Sequence, residues 1–355
     1  MDRNAIKNHI KKIPLGQQVI IPLLIEIKKE IIKKQETKYI LKRLKSNNYS
    51  KVAIVYDLSI SPPNYGVVFY MAMFARYFLI KGGKIDFVII NSEFRHDWDA
   101  LDKVEKPNLV ESLLEIPKVL LNNNIAFSVI RSMSWREFSI YLGENEKSEA
   151  IFIPFKNRVL NRRSVYPFVY NIINYLVTTE DINFLDQFLL SYKDIASNVS
   201  ISVPEIPYIT WQARFSDKWG MERNCSEDEF ANIYKSLKEI YPGRSIMLIS
   251  DKIGCEYFKK LSDKYGFTLL FSKDFSTTFM GDVTLILRSE YYFQLRGGGI
   301  GTSVIYTRVP YGIILKLGNK ISNEKEWSKG KLTPWATDKQ IFRSRYIGVP
   351  HDVRV

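Results

Sequence analysis

The 355-residue sequence predicts an α/β protein with two Rossmann-like domains that face a cleft, preceded by a basic helical extension. Three observations lead to this prediction. Short apolar runs typical of strands alternate with helical patterns along the chain. The alternation restarts after a polar connection at residues 197–207 that contains two prolines. A glycine-rich turn at residues 297–299 follows a strand late in the chain. Such alternation builds parallel sheets with helices on both faces.

The first half predicts one complete α/β unit. Four apolar runs of strand type lie at residues 51–56, 85–90, 125–130 and 150–155. Helical patterns lie between them at residues 67–80, 109–121 and 135–142. Gly82 and Gly83 mark the end of the first helix, because glycine readily ends a helix. We therefore expect an N-terminal domain over residues 51–203, preceded by a basic amphipathic helical arm over residues 1–50.

The second half repeats the pattern. Strands are predicted at residues 208–211, 246–250 and 268–271, with a fourth that ends before residue 296. Helices are predicted at residues 227–240, 255–265 and 284–289. We expect a C-terminal domain over residues 204–335. The segment at residues 336–355 either crosses back to the first domain or caps the second.

Composition restricts the class of protein. Hydrophobic residues make up 46% of the chain and aromatic residues 14%, which is enough to bury two cores of ordinary size. No apolar run reaches the roughly 18 residues that a membrane-spanning helix needs, and the N-terminus lacks a secretory signal pattern. The cysteines, Cys225 and Cys255, are too few for a metal cluster and typical of a reducing compartment. We therefore expect a cytoplasmic protein.

The positive charge is concentrated in the N-terminal arm. Residues 1–51 hold thirteen Lys or Arg and four Asp or Glu, a net charge of +9 out of +13 for the whole chain. Apolar residues recur at near-helical spacing over residues 20–45, which predicts a basic amphipathic helix. Such a helix either binds the anionic inner face of a membrane or packs on the first domain with its lysines in solvent. Nucleic-acid binding is not predicted, because no module of stacking aromatic residues accompanies the charge.

The glycine turn near the C-terminal end has the features of a phosphate site. Three consecutive glycines follow a strand and precede an apolar segment whose pattern predicts a helix. Such a turn lets the backbone approach a phosphate, and a helix N-terminus stabilises its negative charge. Neither the Walker pattern nor the dinucleotide fingerprint fits, because no Gly-Lys-Ser/Thr follows and the turn comes late in the chain. The residues expected to bind phosphate are Arg296, Gly298, Gly299, Gly301, Thr302 and Ser303.

A cationic loop follows the strand at residues 208–211. It holds Arg214 and Lys218, with Asp217 between them. Ligands of parallel sheets bind outside the carboxyl ends of the strands, so this loop is predicted to neutralise a diphosphate through an arginine fork and a lysine charge. The alternative is an exposed ion pair between Arg214 and Asp217 that caps the loop.

The order of these motifs resembles the C-terminal, donor-binding half of the fucosyltransferase-like glycosyltransferases of the GT-B fold, which include α-1,6-fucosyltransferases and protein O-fucosyltransferases. The resemblance covers residues 208–314. In chain order, the matching elements are Gln212-x-Arg214, Ser216-Asp217-Lys218, Ser250-Asp251, Ser272-Lys273-Asp274 and the segment 297–303. Gln212 stands where that family has histidine, and the triple glycine is closer to the turn of other bacterial GT-B enzymes.

The resemblance implies a glycosyltransferase that moves a sugar from a nucleoside-diphosphate sugar, with a GDP-sugar favoured, to a saccharide or lipid-linked saccharide acceptor. It also implies that Arg214 contacts the β-phosphate, that Asp251 accepts from the ribose or base, and that Thr302 and Ser303 donate to the phosphates. Neither a metal nor a further cofactor is expected, because fixed cations and a helix N-terminus stabilise the departing diphosphate. We expect an inverting reaction, and a composition heavy in Ile, Lys, Asn and Tyr fits a bacterial surface-polysaccharide enzyme.

The first domain is expected to supply the acceptor site and a general base. The candidates follow its first two strands and are Asp57, His96 and Asp97. A carboxylate at such a position can remove the proton of an acceptor hydroxyl. For Asp57 the alternative is an Asx-type turn or a helix cap.

Three other functions remain open from the sequence. Asp97 and Asp99 form the Asp-x-Asp pattern that holds Mn²⁺ or Mg²⁺ in the GT-A glycosyltransferase fold, or else lie in a solvated loop. The chain is also consistent with a non-catalytic module that binds a nucleotide or a lipid. An epimerase of the same architecture is the third alternative.

Overall fold

The computed structural model of the chain describes residues 52–58, 63–91, 105–121, 130–144, 149–152, 182–217, 224–295, 299–304, 306–316 and 341–344. The basic arm predicted over residues 1–50 lies outside these residues. Among the helices described, none is both long enough and apolar enough to cross a lipid bilayer.

The first sheet has four parallel strands. They are β1 (Val52–Asp57), β2 (Ile85–Ile90), β3 (Ile130–Met133) and β4 (Glu149–Phe152). Their order across the sheet is β3-β2-β1-β4. Strands β2 and β3 are therefore added on one side of β1, and β4 is added on the other. Its helices are α1 (Tyr65–Ile80), α2 (Glu105–Leu121) and α3 (Trp135–Glu144).

Two short helices, α4 (Ile182–Phe188) and α5 (Tyr192–Ala196), precede the second sheet. Its strands are β5 (Tyr208–Gln212), β6 (Ser245–Ile249), β7 (Leu270–Phe271), β8 (Tyr292–Leu295), β9 (Tyr311–Lys316) and β10 (Ile341–Ser344). They are all parallel in the order β10-β9-β8-β5-β6-β7, which is the doubly wound order of a Rossmann sheet. Its helices are α6 (Glu227–Ile240), α7 (Lys252–Tyr265), α8 (Phe279–Arg288) and α9 (Gly301–Val304). The predicted α/β fold with two Rossmann-like sheets is therefore confirmed.

For the third strand, predicted at residues 125–130, the structure describes Ile130–Met133, and residues 125–129 lie outside the described residues. The structure corrects one predicted element. The apolar segment after the glycine turn is not one helix: α9 has only four residues, and the chain then forms β9. Pro310 cannot continue a helix, and the following residues instead gain four backbone partners on β8.

The C-terminal segment contributes to the second sheet. The sequence left open whether residues 336–355 cross back to the first domain. Ile341–Ser344 pair with β9 as the edge strand β10, so this part of the segment extends the second sheet. The rest of the segment lies outside the described residues.

Helix α1 is central to the packing. Residues 66–79 are all buried, as expected for a helix that is apolar on every side. The Asn64 side chain accepts a hydrogen bond from the Val67 amide and begins the helix. Gly82 ends it with a left-handed φ of 81°, which glycine adopts without steric cost.

The same helix joins the two sheets. Tyr65 stacks on Phe279 of α8 with ring centroids 5.4 Å apart, and Phe69 contacts both Phe279 and Tyr306. The Tyr65 hydroxyl lies 2.8 Å from Ser112 Oγ of α2. One continuous cluster of buried apolar side chains therefore includes residues of both sheets.

Arg76 holds α1 against the ends of two other helices. Its guanidinium donates to the carbonyls of Leu120, Gln187 and Phe188, at 3.5, 2.7 and 3.2 Å. Asp194 lies 4.0 Å away, and burial lowers the pKa of Arg76 against the opposing effect of this carboxylate. Carbonyls at helix C-termini lack partners within their own helix, so Arg76 supplies donors that the buried ends of α2 and α4 need.

We expect Arg76→Met to lower the free energy of unfolding by about 3 kcal/mol, because it leaves these buried carbonyls without a donor. Chemical denaturation of both proteins measures the difference. The matched control is Arg308→Met, whose guanidinium forms an exposed ion pair with Asp186 and should matter by less than about 1 kcal/mol. Equal losses in the two variants would contradict this role of Arg76.

Candidate functional site

The two candidate phosphate segments begin at the same edge of the second sheet. Strand β5 lies between β6 and β8, and Gln212 at its end is in register with Gln294 of β8. Successive strands are added on opposite sides of β5, so the switch point of the sheet lies between β5 and β8. The loop with Arg214 and the glycine turn therefore leave neighbouring strands side by side.

The backbone at Arg214 is fixed on both sides. The Ala213 amide donates to Ile249 at 3.3 Å, and the Arg214 carbonyl accepts from the Cys225 amide at 2.8 Å. Phe215 stacks on Tyr257 of α7, with ring centroids 3.8 Å apart and planes at 10°. Arg214 is half-buried at this edge, and Lys218 lies outside the described residues.

The glycine turn touches the first half of the chain. A β-carbon placed on Gly299 would come within 3.1 Å of the Gly66 amide nitrogen and 3.9 Å of Asn64 Oδ1. The turn after β8 thus meets the first turn of α1, which follows β1. Arg296 and Gly298 lie outside the described residues. The carboxyl ends of β1 and β8, one from each sheet, are brought together by this contact.

Gly301 is set by packing on the sheet. A β-carbon at this position would overlap the buried side-chain amide of Gln294. Gln294 Oε1 accepts a hydrogen bond from the Tyr292 hydroxyl at 3.2 Å, so this side chain is already engaged. The absence of a side chain at residue 301 therefore lets α9 lie directly on β8.

The geometry weakens the predicted role of Ser303 and leaves that of Thr302 a prediction. Ser303 is fully buried, and its hydroxyl donates to the Ile300 carbonyl at 2.6 Å. Thr302 lies in α9, and its side chain is outside the described part of the chain. Because α9 is a single turn, it lacks the aligned peptide dipoles that the sequence analysis expected to stabilise a phosphate. Backbone amides and arginine charge remain as the groups that could do so.

Asp251 lies at the carboxyl end of β6 and caps α7. Its Oδ1 accepts from the Gly254 amide at 2.7 Å, and the residue is exposed. A β-carbon on Gly254 would overlap Ser250 Oγ, so the turn between β6 and α7 is tightly packed. Asp251 follows β6 and Arg214 follows the neighbouring parallel strand β5, so both residues lie at the same edge of the sheet.

A buried ion pair lies beside Asp251. Lys273 Nζ is 2.6 Å from Asp282 Oδ2, and the two side chains are 16% and 10% exposed. Burial raises the pKa of Asp282 to about 6, although the Lys273 charge opposes the change. Burial also raises the pKa of Glu115 on α2, opposed by a hydrogen bond with Thr278 and by the charge of Lys273. These charges therefore connect α2 of the first half with α8 of the second.

The candidates for the general base differ in position. Asp57 is the last residue of β1 and is 2% exposed, which fits a structural role better than contact with an acceptor. His96, Asp97 and Asp99 lie outside the described residues. The GT-A alternative is not supported, because the chain has the two-sheet arrangement of the GT-B expectation. Within the described ranges, His, Cys, Asp and Glu side chains do not gather in groups of three that could hold a metal.

The structure places two glutamines at this edge: Gln212, a motif position to which the sequence assigned no contact, and Gln294, which the sequence did not single out. Gln212 is 6% exposed, and its buried Oε1 has no hydrogen-bond partner among the residues that the structure describes. Gln294 is its neighbour on β8. A glutamine inside each of two short apolar strands was the signal that could have identified them, because buried polar side chains need a specific partner.

No protein-family model matches the chain, and no curated protein matches it by sequence. Solved structures are similar in fold. The glycosyl transferase family 9 structure from Veillonella parvula is 11% identical with a TM-score of 0.45, covering 84% of this chain and 88% of that one. ADP-heptose LPS heptosyltransferase II from E. coli is 10% identical with a TM-score of 0.43, covering 84% and 91%. POFUT1 in complex with GDP is 12% identical with a TM-score of 0.32, covering 72% and 94%.

Gly301→Ala is expected to lower the free energy of unfolding by about 1–3 kcal/mol, because the new methyl group displaces α9 or the Gln294 side chain. Thermal and chemical denaturation measure this effect. Gly243→Ala is the control, since nothing lies within 4 Å of its β-carbon position. A Gly301→Ala protein as stable as this control would show that α9 does not rest on β8.

The buried Asp282 predicts a pH dependence of stability. Its folded pKa of about 6 lies above the ordinary aspartate pKa of about 3.9, so unfolding releases a proton between these two pH values. Stability from this group is therefore present below about pH 4 and lost as pH rises through about 6, a change on the order of 3 kcal/mol. We expect Asp282→Asn to remove this component of the pH slope in denaturation measured at pH 4.5 and 7. An unchanged difference between the two pH values would exclude Asp282 as its source.

Proposed function

We propose that the chain is a glycosyltransferase that transfers a sugar from a nucleoside-diphosphate sugar to a saccharide acceptor. The observation that supports this most is the convergence of the Arg214 loop and the glycine turn at the switch point of the six-stranded sheet. Crevices at such switch points are the usual ligand sites of doubly wound sheets. A half-buried arginine after β5, next to the strand that leads into the glycine turn, fits a ligand with two linked phosphates.

This reaction requires stabilisation of the leaving group, a nucleoside diphosphate. As the sugar bond breaks, negative charge develops on the oxygen of the β-phosphate. Arg214 offers a planar fork of N–H donors, and its backbone is already fixed by Cys225 before a ligand binds. Donors that need no rearrangement stabilise developing charge most effectively. In this proposal Lys218 and Arg296 add charge at the same diphosphate, and Asp251 accepts from a ribose hydroxyl.

The first sheet would supply the acceptor and the base. Its carboxyl edge approaches the donor site where Gly66 meets Gly299, so an acceptor held by the loops of the first sheet would face the donor sugar. In an inverting transfer, a base takes the acceptor proton while the acceptor oxygen bonds to the anomeric carbon and the bond to the β-phosphate breaks. The buried position of Asp57 leaves His96 and Asp97 as the preferred candidates for that base.

The remaining assignments extend the same proposal. The transfer is metal-independent, with fixed cations in the place of a metal ion. The donor is a GDP-sugar, and the acceptor belongs to a bacterial surface polysaccharide or another glycan, free or lipid-linked. The basic residues of the arm over residues 20–45 attach the protein to the inner face of the membrane. The composition supports the polysaccharide acceptor, the charge of the arm supports the membrane attachment, and the motif resemblance supports the GDP-sugar and the absence of a metal.

The test is a thermal-shift screen with ADP, GDP and UDP. A nucleotide at about 100 times its dissociation constant stabilises the folded state by ~2.7 kcal/mol. We expect Arg214→Ala to abolish this stabilisation and to leave the melting temperature of the free protein nearly unchanged. The measurement is repeated with a nucleoside-diphosphate sugar and a saccharide acceptor, where release of nucleoside diphosphate reports transfer.

The matched control is Arg244→Ala. Arg244 directly precedes β6 and pairs with Glu290 at 2.5 Å, so it lies at the opposite, amino-terminal edge of the same sheet. Nucleotide shifts should survive this change. An unaltered shift in Arg214→Ala would remove Arg214 from the site, and binding without any turnover would favour the non-catalytic alternative.

A further inference from the structure

The side chain of Asn224 bridges the outgoing and returning ends of the loop that carries Arg214. Asn224 Oδ1 accepts from the Ser216 amide at 2.9 Å, and Asn224 Nδ2 donates to the Ser216 carbonyl at 2.8 Å. Both bonds go to the main chain of a single residue. The side-chain amide therefore pairs with Ser216 in the way that a neighbouring strand would.

This pair lies directly beside the arginine. Residues 214 and 225 are joined by the backbone bond from the Cys225 amide to the Arg214 carbonyl, and Asn224 adds two bonds one step further out. Three hydrogen bonds thus join the segment that leaves β5 to the segment that leads into α6. On the outgoing side, the bond at Arg214 and the stack of Phe215 on Tyr257 accompany the Asn224 pair.

Both ends of the loop are anchored independently of Asn224. On the returning side, Ser226 begins α6 with a reciprocal capping box, in which Ser226 and Glu229 exchange hydrogen bonds at 3.0 and 3.3 Å. On the outgoing side, β5 is a central strand buried along its whole length. Loss of the Asn224 bonds should therefore loosen the loop and leave the sheet and α6 folded.

We propose that Asn224 is a positioning residue for the donor diphosphate, acting through Arg214. This inference rests on the proposed function. A guanidinium binds a diphosphate strongly only when its fork is held in the right orientation, and a misplacement of about 1 Å can cost on the order of 100-fold. Asn224 fixes the chain next to Arg214 before the ligand arrives, so the ligand does not have to order the loop on binding.

The experiment compares nucleotide affinity with stability. Calorimetric titration with ADP, GDP and UDP is carried out on the full chain, its Asn224→Ala variant and an Asn232→Ala control. Asn232 is a matched asparagine whose amide donates to Asp228 within α6, at an exposed position. We expect Asn224→Ala to weaken binding of the preferred nucleotide by about tenfold, while the melting temperature of the free protein changes no more than in the control.

A conservative variant separates the two bonds. Asn224→Asp keeps an oxygen for the Ser216 amide but has no N–H for the Ser216 carbonyl, so it should retain affinity between those of Asn224→Ala and the unmodified protein. An affinity loss in Asn224→Asp as large as in Asn224→Ala would overturn the requirement for the Ser216 amide bond.

A double-mutant cycle tests whether Asn224 acts through Arg214. Arg214→Lys keeps a charge but not the fork, and we expect Asn224→Ala to cost little more than about twofold in that background. The same tenfold loss in both backgrounds would overturn the inference, as would unchanged affinity in Asn224→Ala. If the unmodified protein bound none of the three nucleotides, the proposed function itself would be overturned. If it bound a nucleotide and Asn224→Ala bound it equally well, only the role of Asn224 would be overturned.

Discussion

The parallel pairing of β5 with β8 is the constraint on which the rest of the structure depends. It places the first and fourth strands of the second sheet side by side, with Gln212 opposite Gln294. Strands β6 and β7 and helices α6, α7 and α8 lie between these two strands in the chain, and β9 and β10 follow them. Without this pairing, the Arg214 loop and the glycine turn would have no reason to share an edge, and a diphosphate site between them could not form.

Helix α1 fixes the position of the first sheet relative to the second. It is buried throughout residues 66–79, and its aromatic residues contact α8 and Tyr306 while its first turn meets Gly299. Each fully buried large apolar side chain contributes roughly 1.5–3 kcal/mol, so a shared core of this size fixes the position of the two sheets strongly. The Lys273–Asp282 pair adds specificity rather than stability, because a buried ion pair recovers little more than its desolvation cost.

Most polar groups at the carboxyl edge are already engaged in holding the fold. Asp251 caps α7, Ser303 bonds to Ile300, and Gln294 accepts from Tyr292. Asp251 and Ser303 were predicted to bind the donor, but their side chains form local hydrogen bonds that hold the fold. Buried polar groups and those at helix ends generally bond to a nearby partner in this way. The segments left to meet a ligand are the Arg214 loop, held by Asn224, and the glycine turn.

The sequence by itself determined the order of strands and helices, because apolar periodicity and glycine or proline breaks are local signals. It also located Arg214 and the glycine turn at strand ends. It could not distinguish a helix from a strand at residues 311–316, since short apolar runs look alike until a neighbouring strand supplies backbone partners. Only the tertiary structure decided strand order, the Gly66–Gly299 contact and the Asn224 pair, because each depends on residues that are distant in the chain or on the direction of a side chain.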